Sequence, residues 1–299
     1  MNTIADASPQ VSASLLITTY NWPDALEKVF WGLFAQTRRD FEVIIADDGS
    51  RPETGELIAR MAARSPIPIV HVWQPDEGFG KCRILNKAMA VARGERIIVT
   101  DGDCVVRNDF VDTHLRQARP GRYLSGSYFK QTPETSAAID EAAVLSQDAF
   151  TAGWLWAHGC PSRLRLIKVS ARPPFDWLLN RLIQTKPSWN GHSASCLRSD
   201  AVLVNGFNED MVYGGLDVEF GVRLQNLGLK GRRIRFSTVA LHLHHERGYA
   251  TPEAKEANAR VKQRTREQKL IRCDRGVDQW LAADGSAQLH PDDRIVRYG

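Results

Sequence analysis

The stretch Ile97-Ile98-Val99-Thr100-Asp101-Gly102-Asp103 limits the possible folds more than any other part of this chain. Three β-branched apolar residues in succession predict a strand covered on both faces, the habit of parallel sheets flanked by helices. Two carboxylates follow, separated by one glycine. In extended chain the side chains of residues i and i+2 leave the same side, so Asp101 and Asp103 converge. Gly102 between them leaves room for a ligand to approach the backbone. Paired carboxylates at the carboxyl end of a buried strand suit a hard divalent cation, Mg²⁺ or Mn²⁺, shared with phosphate oxygens. Alone, such a tripeptide is more often a polar turn whose aspartates cap the next element. Its neighbours along the chain decide between the two.

Those neighbours alternate. A strand over Ser14–Thr19 runs into Tyr20-Asn21-Trp22-Pro23, and Pro23 fits the first turn of a helix. The helix carries Leu26, Val29, Phe30, Leu33 and Phe34 as one apolar stripe. A second strand, Phe41–Ala46, meets Asp47-Asp48-Gly49-Ser50, and a helix over Glu53–Arg64 precedes a third strand, Ile69–Trp73. A further helix begins at Lys81 and stops at Gly94. Strands alternating with helices predict an α/β fold with a doubly wound, mostly parallel sheet. In such sheets ligands bind beyond the carboxyl ends of the strands, where Asn21, Asp47, Asp48, Asp101 and Asp103 all fall.

Beyond Gly121 the rhythm changes. Tyr123–Phe129 reads as a strand, Ala137–Phe150 as a helix, and Thr151–Trp189 as an irregular, tryptophan-rich insertion that either faces substrate or packs on itself. Ser193–Arg198 returns to strand. Tyr213-Gly214-Gly215-Leu216-Asp217-Val218-Glu219 opens a helix, and strands near Arg232–Phe236 and Val239–Leu243 end in His242-Leu243-His244-His245. From Pro252 to about Cys273 the pattern is helical and rich in Lys and Arg. This gives a nucleotide-binding half at 13–120, an acceptor-binding and catalytic half at 121–250 and a basic helical tail at 251–299.

Length and composition exclude other classes. A chain of 299 residues with 43% hydrophobic and 25% charged residues can bury a substantial core. A net charge of +4 gives no case for nucleic acid. Met1–Ser12 lacks the basic start and apolar run of a leader, and no apolar run is long enough to cross a membrane. The five scattered cysteines have no zinc-ligand spacing and read as reduced thiols, which points to cytoplasm. The basic tail from Lys255 to Arg275 fits contact with an anionic membrane surface, or a solvated helix face.

Taken in order, Thr-Thr-Tyr-Asn after strand one, Asp-Asp-Gly-Ser after strand two, Asp-Gly-Asp after strand four, and then Gly-Gly-Leu-Asp-Val-Glu and a histidine cluster resemble the inverting family-2 glycosyltransferases of the GT-A fold. The likeness spans about residues 13–247. Residues 190–245 look like the galactosyltransferase-type module of bacterial members, including chondroitin-polymerase-like enzymes. The resemblance implies a nucleotide-sugar donor, a glycan or lipid-linked acceptor, and Mn²⁺ or Mg²⁺. It implies that Thr19, Tyr20 and Asn21 lie along the nucleotide, and that Asp47 or Asp48 accepts a hydrogen bond from the base, a uracil imide N–H being the natural donor. Lys81 and Arg83, at the start of a helix, would suit phosphate. Asp101 would touch the ribose or a metal-bound water, and Asp103 would ligate the metal.

The same resemblance puts the catalytic base in an acidic pair after a glycine turn. Here Leu216 stands where the family commonly has Glu, so the role passes to Asp217, with Glu219 in reserve. His242, with His245 as second choice, would be a further metal ligand, a set that favours Mn²⁺ because imidazole is an uncommon partner for Mg²⁺. The implied activity is transfer of a sugar, from a UDP-sugar by preference, in synthesis of bacterial surface polysaccharide or lipopolysaccharide. Two alternatives stand beside it. One is a nucleotide-sugar-binding protein without turnover, motivated by Leu216. The other is a sugar nucleotidyltransferase, which would carry a glycine-rich basic loop where Thr18–Trp22 has no glycine.

Overall fold

The structure, a computed structural model, describes residues 11–160, 166–172, 174–183, 185–245 and 252–299. The first half alternates β1 (Ala13–Thr19), α1 (Pro23–Phe34), β2 (Phe41–Asp47), α2 (Pro52–Ala62), β3 (Ile69–Trp73), α3 (Lys81–Val91) and β4 (Arg96–Asp101). β5 (Cys104–Val106) and α4 (Phe110–Gln117) follow. The second half holds β6 (Arg122–Ser125), β7 (Tyr128–Lys130), α5 (Pro133–Ala138), α6 (Glu141–Leu145), α7 (Ala152–Ala157), α8 (Ile167–Ser170) and α9 (Phe175–Leu182). It continues through β8 (Ala194–Leu197), α10 (Arg198–Leu203), α11 (Leu216–Asn226), β9 (Lys230–Arg233) and β10 (Ala240–His242), then α12 (Pro252–Glu267) and β11 (Arg294–Tyr298).

The main sheet runs β11-β3-β2-β1-β4-β8-β6-β9, and β5-β10-β7 form a smaller one. β3, β2, β1 and β4 are mutually parallel, as the alternation predicts. Each of these strands is buried on both faces. Leu15 and Ile17 pack into the core under α1, while Leu16 faces the opposite core under α3. Val43 and Ile45 divide from Ile44 and Ala46 in the same way. That division explains the unbroken apolar runs, since a strand with two covered faces has no position to give to water. β8 enters antiparallel to β4, so both halves share one sheet.

Where local structure departs from the pattern, the cause is local. Tyr123–Phe129 is two strands, because the Gly126 N–H donates to the Ser193 carbonyl at 2.7 Å and turns the chain from the large sheet to the small one. A Cβ on Gly126 would overlap Ser193 Oγ. The helix expected over 137–150 is broken at Asp140, whose Oδ1 accepts from the Ala143 N–H at 2.8 Å and starts a new helix. The insertion expected as irregular contains α7, α8 and α9. The segment expected as a helical tail is helical over Pro252–Glu267 and then returns to the sheet, β11 pairing antiparallel with β3. Among the described residues no helix is long and apolar enough to cross a membrane.

Candidate active site

At the carboxyl ends of β1 and β4 lies a cleft of about 680 Å³. β4 delivers Asp101, and the chain then bends so that the Gly102 N–H donates to the Thr18 carbonyl at 2.8 Å. A Cβ on Gly102 would lie 2.6 Å from that carbonyl oxygen. Glycine is therefore demanded by the backbone of β1, not by an incoming ligand, and the tight crossing is what brings Asp101 and Asp103 to the cleft.

Asp103 meets two histidines. His245 Nε2 lies 3.1 Å from Asp103 Oδ2 and His242 Nε2 lies 3.8 Å from it. Burial pushes the Asp103 carboxyl up, but His245 and His242 more than offset this and hold it below its ordinary value. β10 ends at His242, whose Nδ1 is 2.8 Å from the Leu243 carbonyl. A carbonyl oxygen only accepts, so Nδ1 donates there, and Nε2 is the ring nitrogen left facing Asp103. Aromatic rings fix both imidazoles: Trp22 meets His245 edge-on at 5.6 Å and Tyr128 packs on His242 at 5.1 Å. One carboxylate and two imidazoles with ligand atoms within 4.8 Å of one another fit a divalent cation, and the nitrogen share suits Mn²⁺ better than Mg²⁺.

Opposite this group, α11 begins at Leu216 after Gly214 and Gly215, both at positive φ. The turn places Asp217 in the cleft, with its Oδ1 buried and without a hydrogen-bond partner among the described residues. Burial raises the Asp217 carboxyl to about 6; Lys81 pulls it down, Asp101 pushes it up and the Gly191 N–H pulls it down again. Leu216 is buried against the second core and also lines the cleft, where it adds an apolar wall and no carboxylate. Glu219 is fully occupied elsewhere. Its carboxylate accepts from Arg223 Nε at 2.9 Å and from Thr265 Oγ1 at 3.0 Å, tying α11 to α12.

The remaining residues divide. Thr19, Tyr20, Asp48 and Lys81 line the cleft with Asp101, Asp103, Asp217, His242 and His245. Asn21, Asp47 and Arg83 do not. Asn21, at φ 48°, takes the Ser50 hydroxyl as acceptor for its N–H and accepts the Arg51 N–H on Oδ1, bracing one strand-end loop against the next. Asp47 accepts from the Ser50 N–H at 2.8 Å and faces His71 Nε2 at 3.0 Å. Arg83 reaches out to Glu77. Of the two aspartates, Asp48 faces the cleft. It accepts from Gln74 Nε2 at 2.6 Å and the Gly80 N–H at 2.9 Å, and burial raises its carboxyl to about 6.

Sequence reading missed His192. It lines the cleft, lies edge-on to Tyr128 at 4.1 Å, and burial lowers its imidazole to about 4, so it is neutral at physiological pH. The signal was Asn190-Gly191-His192 just before a strand, which has no spacing rule to single it out. Tyr213 and Phe79, edge-on at 5.9 Å across the mouth, were likewise passed over as loop residues.

Residues 14–143 match the family described as Glycosyl transferase family 2. The glycosyltransferase GlyG of Streptococcus pneumoniae is 29% identical over 170 residues, covering 56% of this chain and 52% of that protein. The chondroitin synthase of Pasteurella multocida is 24% identical over 246 residues, covering 74% of this chain and 24% of its own length. The chain thus spans about half or less of these curated relatives. Among solved structures, a mannosyltransferase from Pyrobaculum calidifontis in complex with GDP-Man and Mn²⁺ superimposes with a TM-score of 0.54 at 19% identity, covering 82% of this chain and 61% of that one. TarS residues 1–349 of S. aureus in complex with UDP-GlcNAc superimpose with a TM-score of 0.56 at 13% identity, covering 90% and 69%. From its first strand through the helix that follows Asp140, the chain is a glycosyl transferase family 2 domain, set in a fold shared with GT-A glycosyltransferases.

Proposed function

We propose that this chain is a metal-dependent inverting glycosyltransferase that moves a sugar from a nucleotide donor, a UDP-sugar by preference, to a hydroxyl of a glycan or lipid-linked acceptor in bacterial surface polysaccharide or lipopolysaccharide synthesis. One observation carries the reading: Asp217, with an unpartnered carboxylate oxygen, shares a single cleft with the Asp103–His242–His245 group. A divalent cation held by those three residues would neutralise charge on the departing diphosphate. Lys81, kept protonated by Asp101 and Asp217 against the effect of burial, adds a fixed positive charge on the same wall. Asp48 supplies an acceptor for a base N–H, and Asp217 takes the proton from the attacking hydroxyl. Five buried cysteines read as thiols support a reducing, cytoplasmic setting.

The test is a panel of nucleotide sugars with purified protein and Mn²⁺, read as nucleotide release and as product glycan. Release of UDP from one donor that depends on the cation is the expected result. Tight donor binding with neither transfer nor hydrolysis would establish the binding protein instead.

A further inference from the structure

Helix α9 is turned inside out relative to an ordinary surface helix. Two of its polar residues, Asp176 and Asn180, face the protein. Asp176 is buried, and Asn180 donates to Ser237 Oγ at 3.0 Å while its Oδ1 accepts from the Phe236 N–H at 3.1 Å. Its apolar residues face outward. Phe175, Leu178 and Leu182, at i, i+3 and i+7, form one stripe, in which Phe175 is 68% and Leu182 65% exposed. Ile183 extends it. Surface helices of globular proteins bury such a stripe, and a contiguous exposed apolar patch marks a site of interaction.

Beside the stripe lies a second cleft, of about 460 Å³, which shares no residue with the catalytic one. Trp177, 55% exposed, and Arg181 of α9 line it, the guanidinium 5.5 Å from the ring centre. Arg122 of β6 and Arg232 and Arg233 of the edge strand β9 complete it, and none of its lining residues is acidic. Burial, and after it the nearby Arg119 and Arg122, push the Arg232 guanidinium down, as expected of cations gathered without a counter-charge.

We propose that α9 and this arginine cleft form a docking surface for an anionic phospholipid bilayer, with Phe175, Leu178 and Leu182 entering the acyl boundary and the four arginines meeting lipid phosphates. Apolar side chains beside unneutralised arginines match the layering of that interface. A free phosphate would use the cleft and leave the stripe in water. A second copy, joined through the same patch, would set one arginine cluster against its twin. The basic tail is a poorer candidate: α12 is held to the glycine turn before α11 through the buried Asn258 and to α11 through the buried Thr265, and among large apolar side chains the 252–275 stretch exposes Ile271 alone.

The experiment is flotation of the purified full-length protein with phosphatidylcholine vesicles, with and without phosphatidylglycerol, in the absence of donor and acceptor. The expected result is flotation with the anionic vesicles, abolished in the Phe175→Ser/Leu182→Ser double variant. Arg181→Gln and Arg233→Gln should each weaken partitioning about fivefold. Nucleotide release in solution should match wild type in all of them. Equal flotation of wild type and these variants overturns the proposal, as does flotation lost only on Arg264→Gln/Arg266→Gln substitution in the tail. A concentration-dependent dimer abolished by the double variant would make a second copy the occupant, and binding of inorganic phosphate without flotation would make the cleft a small-anion site; either result also overturns it. Flotation needs no turnover, so a failed donor panel would count against the catalytic reading alone.

Discussion

Lys81 Nζ lies 2.6 Å from Asp101 Oδ1, joining the first turn of α3 to the end of β4 inside the cleft. The same ammonium holds the Asp217 carboxyl lower than burial alone would set it. Lys81→Met should therefore move the acidic limb of kcat/KM to higher pH, because Asp217 then keeps its proton longer. A pH–rate profile of the variant checks this. A limb at the wild-type position would detach Lys81 from the base.

The base itself is tested by Asp217→Asn. Loss of a general base typically costs ~10²–10⁴-fold in rate, so kcat should fall by about that much while donor affinity is kept. In the wild-type protein kcat/KM should rise with pH up to about 6, where Asp217 loses its proton, and level off above it. Calorimetric donor binding with stopped turnover is the expected pair of measurements.

The same substitution should stabilise the protein. Folding raises the Asp217 carboxyl from 3.8 to about 6, so its ionised form is penalised in the fold wherever the pH lies above both values. At this half-buried position, screened by solvent, Asp217→Asn should gain about 1 kcal/mol at pH 7, roughly 2 °C in Tm. Below pH 3.8, where folded and unfolded forms are both protonated, the gain should vanish. Melting curves at pH 7 and pH 3.5 would decide it.

Glu219→Gln should behave differently. Arg223 would be left buried with half a partner, and breaking a buried pair costs about 3–5 kcal/mol. The expected outcome is a lower Tm, with the pH profile of the folded fraction unchanged. A dead but fully stable Glu219→Gln would transfer the base to that residue.

Removal of the cation with EDTA should abolish nucleotide release, and Mn²⁺ should restore it at least as well as Mg²⁺. Asp103→Ala should be inactive at any added cation with its fold intact, since Asp103 stands at a strand end and outside both cores. His245→Ala should raise the Mn²⁺ concentration needed for half activity, by about 10-fold or more. Full activity in excess EDTA would refute the ligand group.

The parallel half of the sheet was legible because burial on both faces leaves a one-dimensional trace: Ile97, Ile98 and Val99 could be read as covered without knowing by what. Asp101 and Asp103 could be nominated because they stand at the end of a buried strand, and Asp217 through the family resemblance of its glycine turn, with Glu219 in reserve. Side-chain direction within a tight turn was not readable. Asp47 and Asp48 are adjacent, and only the packing of His71 on one and Gln74 on the other separates a brace from a cleft residue. Nor could Glu219 be told from Asp217 as a free acid, because its partners Arg223 and Thr265 lie on α11 and on a helix that begins beyond His245. α9 was hidden too: its eight residues fall in the Thr151–Trp189 stretch expected to be irregular, and even a helical period shows that one face is apolar and not which way it points.

The pairing of β11 with β3 makes the order of assembly non-local. Ile295 lies opposite Val72, and Lys87 of α3 forms a buried ion pair with Asp293 at 2.7 Å. The outer strand of the first, parallel half of the sheet is thus covered by a segment translated after every residue of the cleft. During synthesis β3 would spend that interval as an open edge, its N–H and C=O groups available to any other extended chain. Proteins shortened before residue 294 should carry the same exposed edge permanently and be lost to aggregation, even with the whole cleft in place.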